Sequence, residues 1–148
     1  MNNLKSFTIA LMAFLTLGFG ASLAQAADKQ HKAVYHLNSK DIETQQDVLR
    51  NAQNHLDAIG ADKMDLRIVM HAGGVSVLRT AKTDVDLQSK IESLKLKGVR
   101  FEVCKKTLDR GKIDFKKDLY DVSEKDIVPS GVAEIALLQE KGFSYVKP

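Results

Sequence analysis

The stretch GVRFEVCKKTLDRGK, from Gly98 to Lys112, holds the end of one helix, a strand and the start of another helix. Upstream of it, Leu87, Ile91 and Leu94 fall on one stripe of a helix running from about Val85 to Lys97. Gly98 sits just past the last periodic residue, where a helix stop is expected. Val99 to Val103 is a strand, and Cys104, the only cysteine in the chain, stands at its carboxyl end. Lys105 to Arg110 can form a helical turn, closed by Gly111. Helix, strand and helix in direct succession are the rhythm of an α/β fold.

The same rhythm extends in both directions. Ala33 to Leu37 is a short β-rich run that ends at Asn38-Ser39. Thr44-Gln45-Gln46-Asp47 opens a helix as a capping-box-like start. Val48, Leu49, Ala52, Leu56 and Ile59 share its inner face, and Gly60 stops it. Leu66 to Met70 is the second strand, closed by His71-Ala72-Gly73-Gly74. Past the central stretch, residues 111–125 are charged and weakly periodic, which predicts a loop with a turn of helix. Ile127-Val128 is a brief strand. Pro129-Ser130-Gly131 leads into a helix with Val132, Ile135, Ala136 and Gln139 inward, ending at Gly142. Ser144-Tyr145-Val146 is the last strand. The expected architecture is a three-layer α/β/α fold with a mainly parallel five-stranded sheet.

In open sheets of this kind ligands bind outside the carboxyl ends of the strands. That rule delivers Asn38, His71, Gly73, Gly74, Cys104, Ser130 and Gly131 to one edge. Cys104 is therefore expected on the working edge and accessible. A cysteine acts as a nucleophile through its thiolate, which is favoured by a helix N-terminus or a nearby cation. The turn after Cys104 offers free N–H groups, and Lys105, Lys106 and Arg110 offer charge. The alternative is a small buried apolar residue, a common fate of free cysteine.

The first residues bear on the compartment. Lys5 precedes an apolar run from Phe7 to Leu17, and small residues follow to Ala24-Gln25-Ala26. This order describes a secretory signal peptide over residues 1–26, cleaved after Ala26, leaving one α/β domain over residues 27–148. The expected location is periplasmic or secreted, with no stable membrane anchor after cleavage. The formal charge of +3 falls to +2 when Lys5 is removed. Lysines are dispersed among acids, without the concentrated basic face that nucleic acid requires. One cysteine allows no internal disulfide, so stability must come from packing.

Val103-Cys104-Lys105-Lys106-Thr107-Leu108-Asp109-Arg110-Gly111 resembles a loop of the DsrE/DsrF-like proteins, in which a strand-end cysteine precedes a short helix and an Arg-Gly pair. Val69 to Gly74, Ile127 to Glu134 and the closing Gly142 to Pro148 also resemble that family, the last of them its secreted members. The resemblance covers essentially the whole of residues 27–148. It implies a DsrE-like fold and a carrier role for Cys104, holding sulfane sulfur as a persulfide. It further implies a homo-oligomer, and a small sulfur compound or sulfur-relay protein as partner. No cofactor is expected.

Other residues have plainer readings beside functional ones. His71 before two glycines can orient an anion or donate a proton, or simply end a strand. His71 with Cys104 could hold a soft metal, but no ligand spacing supports this, so no metal residues are assigned. His36 reads as packed within its strand, and His31 and His55 as surface residues. Ser130-Gly131 opens a helix, which suits an anion or an ordinary serine cap. The leading expectation is a sulfur carrier, sulfurtransferase-like at most. The alternative is a noncatalytic binding or assembly module with an inert cysteine.

Overall fold

The computed structural model describes residues 30–148. The expected signal peptide and its cleavage site lie outside the described residues. Five strands form one sheet: β1 (His31–Leu37), β2 (Met64–Met70), β3 (Arg100–Cys104), β4 (Ile127–Val128) and β5 (Ser144–Val146). Their order is β4-β3-β2-β1-β5 and every pairing is parallel. Helices α1 (Ile42–Ile59), α2 (Ser76–Thr80), α3 (Val85–Leu96), α4 (Lys105–Gly111), α5 (Phe115–Asp118) and α6 (Gly131–Glu140) fill the connections.

Strand order dictates where the helices lie. From β1 to β4 each crossover steps in the same direction, and right-handed crossovers put their helices on one face. The last connection runs back from β4 to the opposite edge, so α6 lands on the other face, alone among the described helices. Packing follows this division. Leu49 and Leu56 of α1, Leu78 of α2, Ile91 of α3 and Leu108 of α4 share one core with Leu37, Ile68 and Val103. Phe115 of α5 packs against the same core. On the second face, Ile135 and Leu138 of α6 form a smaller core with Val34, Val69 and Phe143.

Several boundaries differ from the sequence reading. Helix α1 begins at Ile42 because the Asp41 carboxylate accepts the Thr44 N–H at 2.7 Å. Aspartate thus caps the helix one turn before the expected start. The His71–Gly74 closure continues into a 3₁₀ turn and then α2, whose Val77 and Leu78 are fully buried. Gly98 takes φ +90°, the left-handed geometry expected of a helix stop. The inner face of α6 is Gly131, Ile135 and Leu138, while Val132, Ala136 and Gln139 are exposed. The expected face is thereby corrected by a rotation of the helix. Gly131 must abut the end of β3, and that contact sets the phase of everything after it.

Candidate thiol site

Cys104 ends β3 and occupies the N-cap position of α4. Its side chain emerges on the α6 face but belongs to neither apolar core. Only 5% of the residue is exposed, so the sulfur is far more covered than a strand-end position suggested. The cover comes from α6. A β-carbon built on Gly131 would stand 3.1 Å from that of His71 and 3.3 Å from that of Cys104. Any larger residue there would push the helix off the thiol.

Covering the thiol by itself disfavours its charge, and burial does push the Cys104 pKa up. The net shift is nevertheless downward. Hydrogen bonds from the Gly131 N–H, the Thr107 hydroxyl, and the Thr107 and Lys106 N–H groups outweigh the burial. Thr107 is positioned for this. Its Oγ1 accepts the Ala72 N–H at 2.9 Å, which leaves the hydroxyl hydrogen for the sulfur. Ala72 takes φ +47° at the end of β2, an uncommon backbone for a residue with a side chain. The β2 end is thus tied to the first turn of α4.

A depression of about 230 Å³ opens beside the sulfur, with His71, Thr107, Arg110 and Ser130 among its walls. Ser130 holds the N-cap position of α6, yet its side chain makes no capping hydrogen bond. Other predicted residues are distributed differently. Lys105 pairs with Asp109 at 2.7 Å and does not line the depression; Lys106 takes its place. Asn38 lies at the same sheet edge, past the end of β1, but outside the thiol depression. Gly73 faces a neighbouring depression. Gly74 is buried under β1, where a β-carbon would stand 2.1 Å from the Leu37 carbonyl oxygen. Its smallness serves backbone packing.

His36 is packed in its strand as expected, but it also has a ring partner that the sequence reading lacks. It is half-buried on the α6 face, and its Nε2 lies 2.6 Å from His71 Nε2. One nitrogen must donate and the other accept, so both rings cannot be protonated at once. Tyr145 Oη contacts His36 Nδ1 at 2.7 Å, extending the chain to β5. Burial, the facing His71 and Lys147 lower the His36 pKa to about 4. Burial and Lys147 lower His71 as well. The parallel register sets His36 opposite Val69, two residues before His71, so strand alternation puts both rings on one face. Knowing the register would have revealed the pair. His55, read as a surface residue, instead lies half-buried with its Nδ1 3.2 Å from Tyr35 Oη.

Below the thiol on the same face lies an ion network. Arg67 Nη1 donates to Glu102 Oε1 at 2.9 Å and Arg100 Nη2 reaches Asp65 at 2.9 Å. Glu102 is buried, and its Oε2 has no hydrogen-bond partner among the described residues. Burial raises its carboxyl pKa in spite of Arg67. Among the described residues no group of three or more His, Cys, Asp or Glu converges to hold a metal ion.

Comparison with known proteins agrees with this architecture. Two solved structures share the fold: a protein of unknown function, MTH1491 from Methanobacterium thermoautotrophicum, and the ychN protein from E. coli. The first is 28% identical with a TM-score of 0.69, the second 19% identical with a TM-score of 0.64. In each case the match covers 80% of this chain and 99% of the other. No curated protein matches the chain. The DsrE/DsrF-like family model matches residues 32–148, from β1 to the last residue, and the chain belongs to that family.

Proposed function

We propose that this protein is an exported sulfur carrier that holds sulfane sulfur as a persulfide on Cys104, without catalytic turnover of its own. The observation that carries the reading is the place of Cys104 at the N-cap of α4 and directly against Gly131 of α6, where the Gly131, Thr107 and Lys106 groups favour its thiolate although burial opposes it. A persulfide is, like a thiolate, favoured as an anion, so donors that stabilise one also stabilise the other. The depression beside the sulfur supplies room for an added atom. Membership of the DsrE/DsrF-like family supports a relay role, with a small sulfur compound or a second relay protein as partner.

The Lys5, apolar-run and Ala24-Gln25-Ala26 order supports export to the periplasm or the medium. N-terminal sequencing of the processed protein is expected to begin at Ala27. Self-association is proposed through the α6 side, where Val132, Leu137 and Tyr145 are exposed at 64%, 46% and 43%. Sedimentation at micromolar concentration tests it, and a monomer would remove that part of the reading.

The 5% exposure of Cys104 favours a second reading, a binding or assembly module in which the thiol is inert. Alkylation of the folded protein separates the two. A carrier reacts at neutral pH and gains the mass of sulfur from polysulfide. An inert thiol reacts only on unfolding.

A further inference from the structure

We infer that the depression adjoining the thiol is an oxyanion site, which holds the charged end of a small sulfur donor while its reactive sulfur reaches Cys104. This assignment rests on the carrier reading. The depression measures about 330 Å³, and Lys40, Arg79 and Arg110 contribute to its walls while no carboxylate does. It shares Ala72, Thr107 and Arg110 with the depression beside the sulfur, so the two form adjoining compartments.

Charge pairing sets this place apart. The chain has five arginines. Arg50 pairs with Asp47, Arg67 with Glu102 and Asp65, and Arg100 with Asp65. Arg79 and Arg110 have no carboxylate partner among the described residues, and both open to this one depression. Lys40 joins them because the loop after β1 is pressed against the turn after β2. A β-carbon on Gly73 would stand 2.5 Å from Lys40 Cγ and 2.8 Å from its N, so only glycine permits that approach. Three cations brought together without a counter-ion repel one another until an anion enters. Arginine forks match a carboxylate or sulfonate through two parallel hydrogen bonds. The volume matches the lower end of small-molecule sites, about 300–1,000 Å³.

The ligand class is therefore a low-molecular-weight donor with an oxyanion at one end and a transferable sulfur at the other. Thiosulfate and the persulfide of a small carboxylated thiol both fit that description. In the transfer, the Cys104 thiolate attacks the donor's terminal sulfur and forms a new S–S bond. The donor's own S–S bond breaks, and its electron pair leaves on the anionic fragment as sulfite or a thiolate. Cys104 keeps the sulfur as a persulfide, and no external oxidant or reductant is consumed.

The test compares alkylation of Cys104 by iodoacetate, an anion, and iodoacetamide, its neutral counterpart. Their rate ratio cancels any change in the amount of thiolate. Arg79→Gln and Lys40→Gln are each expected to lower the ratio, by about tenfold for the arginine at low ionic strength. Added salt should lower the wild-type ratio in the same direction. Both residues are exposed, and a thermal melt of each variant establishes that it is folded. A ratio unchanged in both folded variants overturns the anion site. Loading with sulfur from polysulfide is measured alongside. If it fails while the ratio responds, the carrier reading falls and the anion site stands. Calorimetric titration of sulfate and of succinate into Cys104→Ser assigns the source: sulfate binding indicates a sulfonate-type donor, succinate binding a carboxylate-type one.

Discussion

The two faces of the sheet are made from the same strands and differ in almost every physical respect. Ala33, Tyr35, Leu37, Leu66, Ile68, Met70, Phe101 and Val103 point to a face covered by five helices. Their sequence neighbours Val34, His36, Arg67, Val69, Glu102 and Cys104 point to a face where α6 is the only helix among the described residues. Strand alternation assigns the residues, and strand order assigns the cover. The thickly covered face is apolar because nothing there can solvate a charge. The thinly covered face tolerates two histidines, an ion network and a thiol because water and α6 share its boundary. Apolar packing is concentrated on one side of the sheet and the titratable strand residues on the other.

Leucines of equal burial probe that contrast. Leu78 on the thick face and Leu138 on the thin face are both fully buried. Truncation of Leu78 to alanine is expected to cost about 4 kcal/mol, since the surrounding elements cannot close the cavity. Leu138→Ala should cost nearer 2–3 kcal/mol, because a lone helix can settle onto the sheet. Urea unfolding of both variants decides; a larger loss at Leu138 would break the comparison.

Gly131→Ala sharpens it further. Moving α6 by a few tenths of an ångström should cost about 1–3 kcal/mol, typical of overpacking. The same shift should withdraw the Gly131 N–H from the sulfur and move Cys104 alkylation to higher pH. Thr107→Val should move alkylation in the same direction. An unaltered alkylation profile in both variants would mean that these donors do not act on the thiol.

The histidine pair predicts acid sensitivity on the thin face. His36 has its pKa lowered to about 4 in the folded protein, against an ordinary value of 6.5. Between those values the unfolded chain binds a proton that the folded one refuses, so stability falls as pH drops from 6.5 to 4 and then levels off. Solvent screening of these half-exposed rings holds the loss to about 1 kcal/mol. Melting temperature against pH should show this slope in the wild type and a flatter one in His36→Gln.

The smallest effect is expected at Glu102. Its Oε2 is buried without a hydrogen-bond partner among the described residues, and Arg67 keeps Asp65 as a second carboxylate. Glu102→Gln should change stability by no more than about 1 kcal/mol in either direction. A loss of several kcal/mol would show that the ion network carries the thin face after all.

The same division explains what the sequence made legible. Apolar runs punctuated by Gly60, Gly98 and Gly142 located the strands, the parallel sheet and the edge where Cys104 sits. Leu87, Ile91 and Leu94 gave the buried stripe of α3 directly, since each meets only the apolar core. On the thin face the local signals failed. The phase of α6 depends on Gly131 touching Cys104 and His71, which come from other strands. His36 pairs with a residue thirty-five positions away, through a register that no local pattern encodes. Arg79 and Lys40 look like ordinary surface charges until the fold brings them beside Arg110.

One measurement bears most directly on the carrier role of Cys104: intact mass of the folded protein after polysulfide treatment, with alkylation of Cys104 followed as a function of pH. The account predicts a gain of one sulfur atom in the wild type, none in Cys104→Ser, and an alkylation midpoint below that of an ordinary thiol. A thiol that gains no sulfur and resists alkylation until the protein unfolds would contradict it.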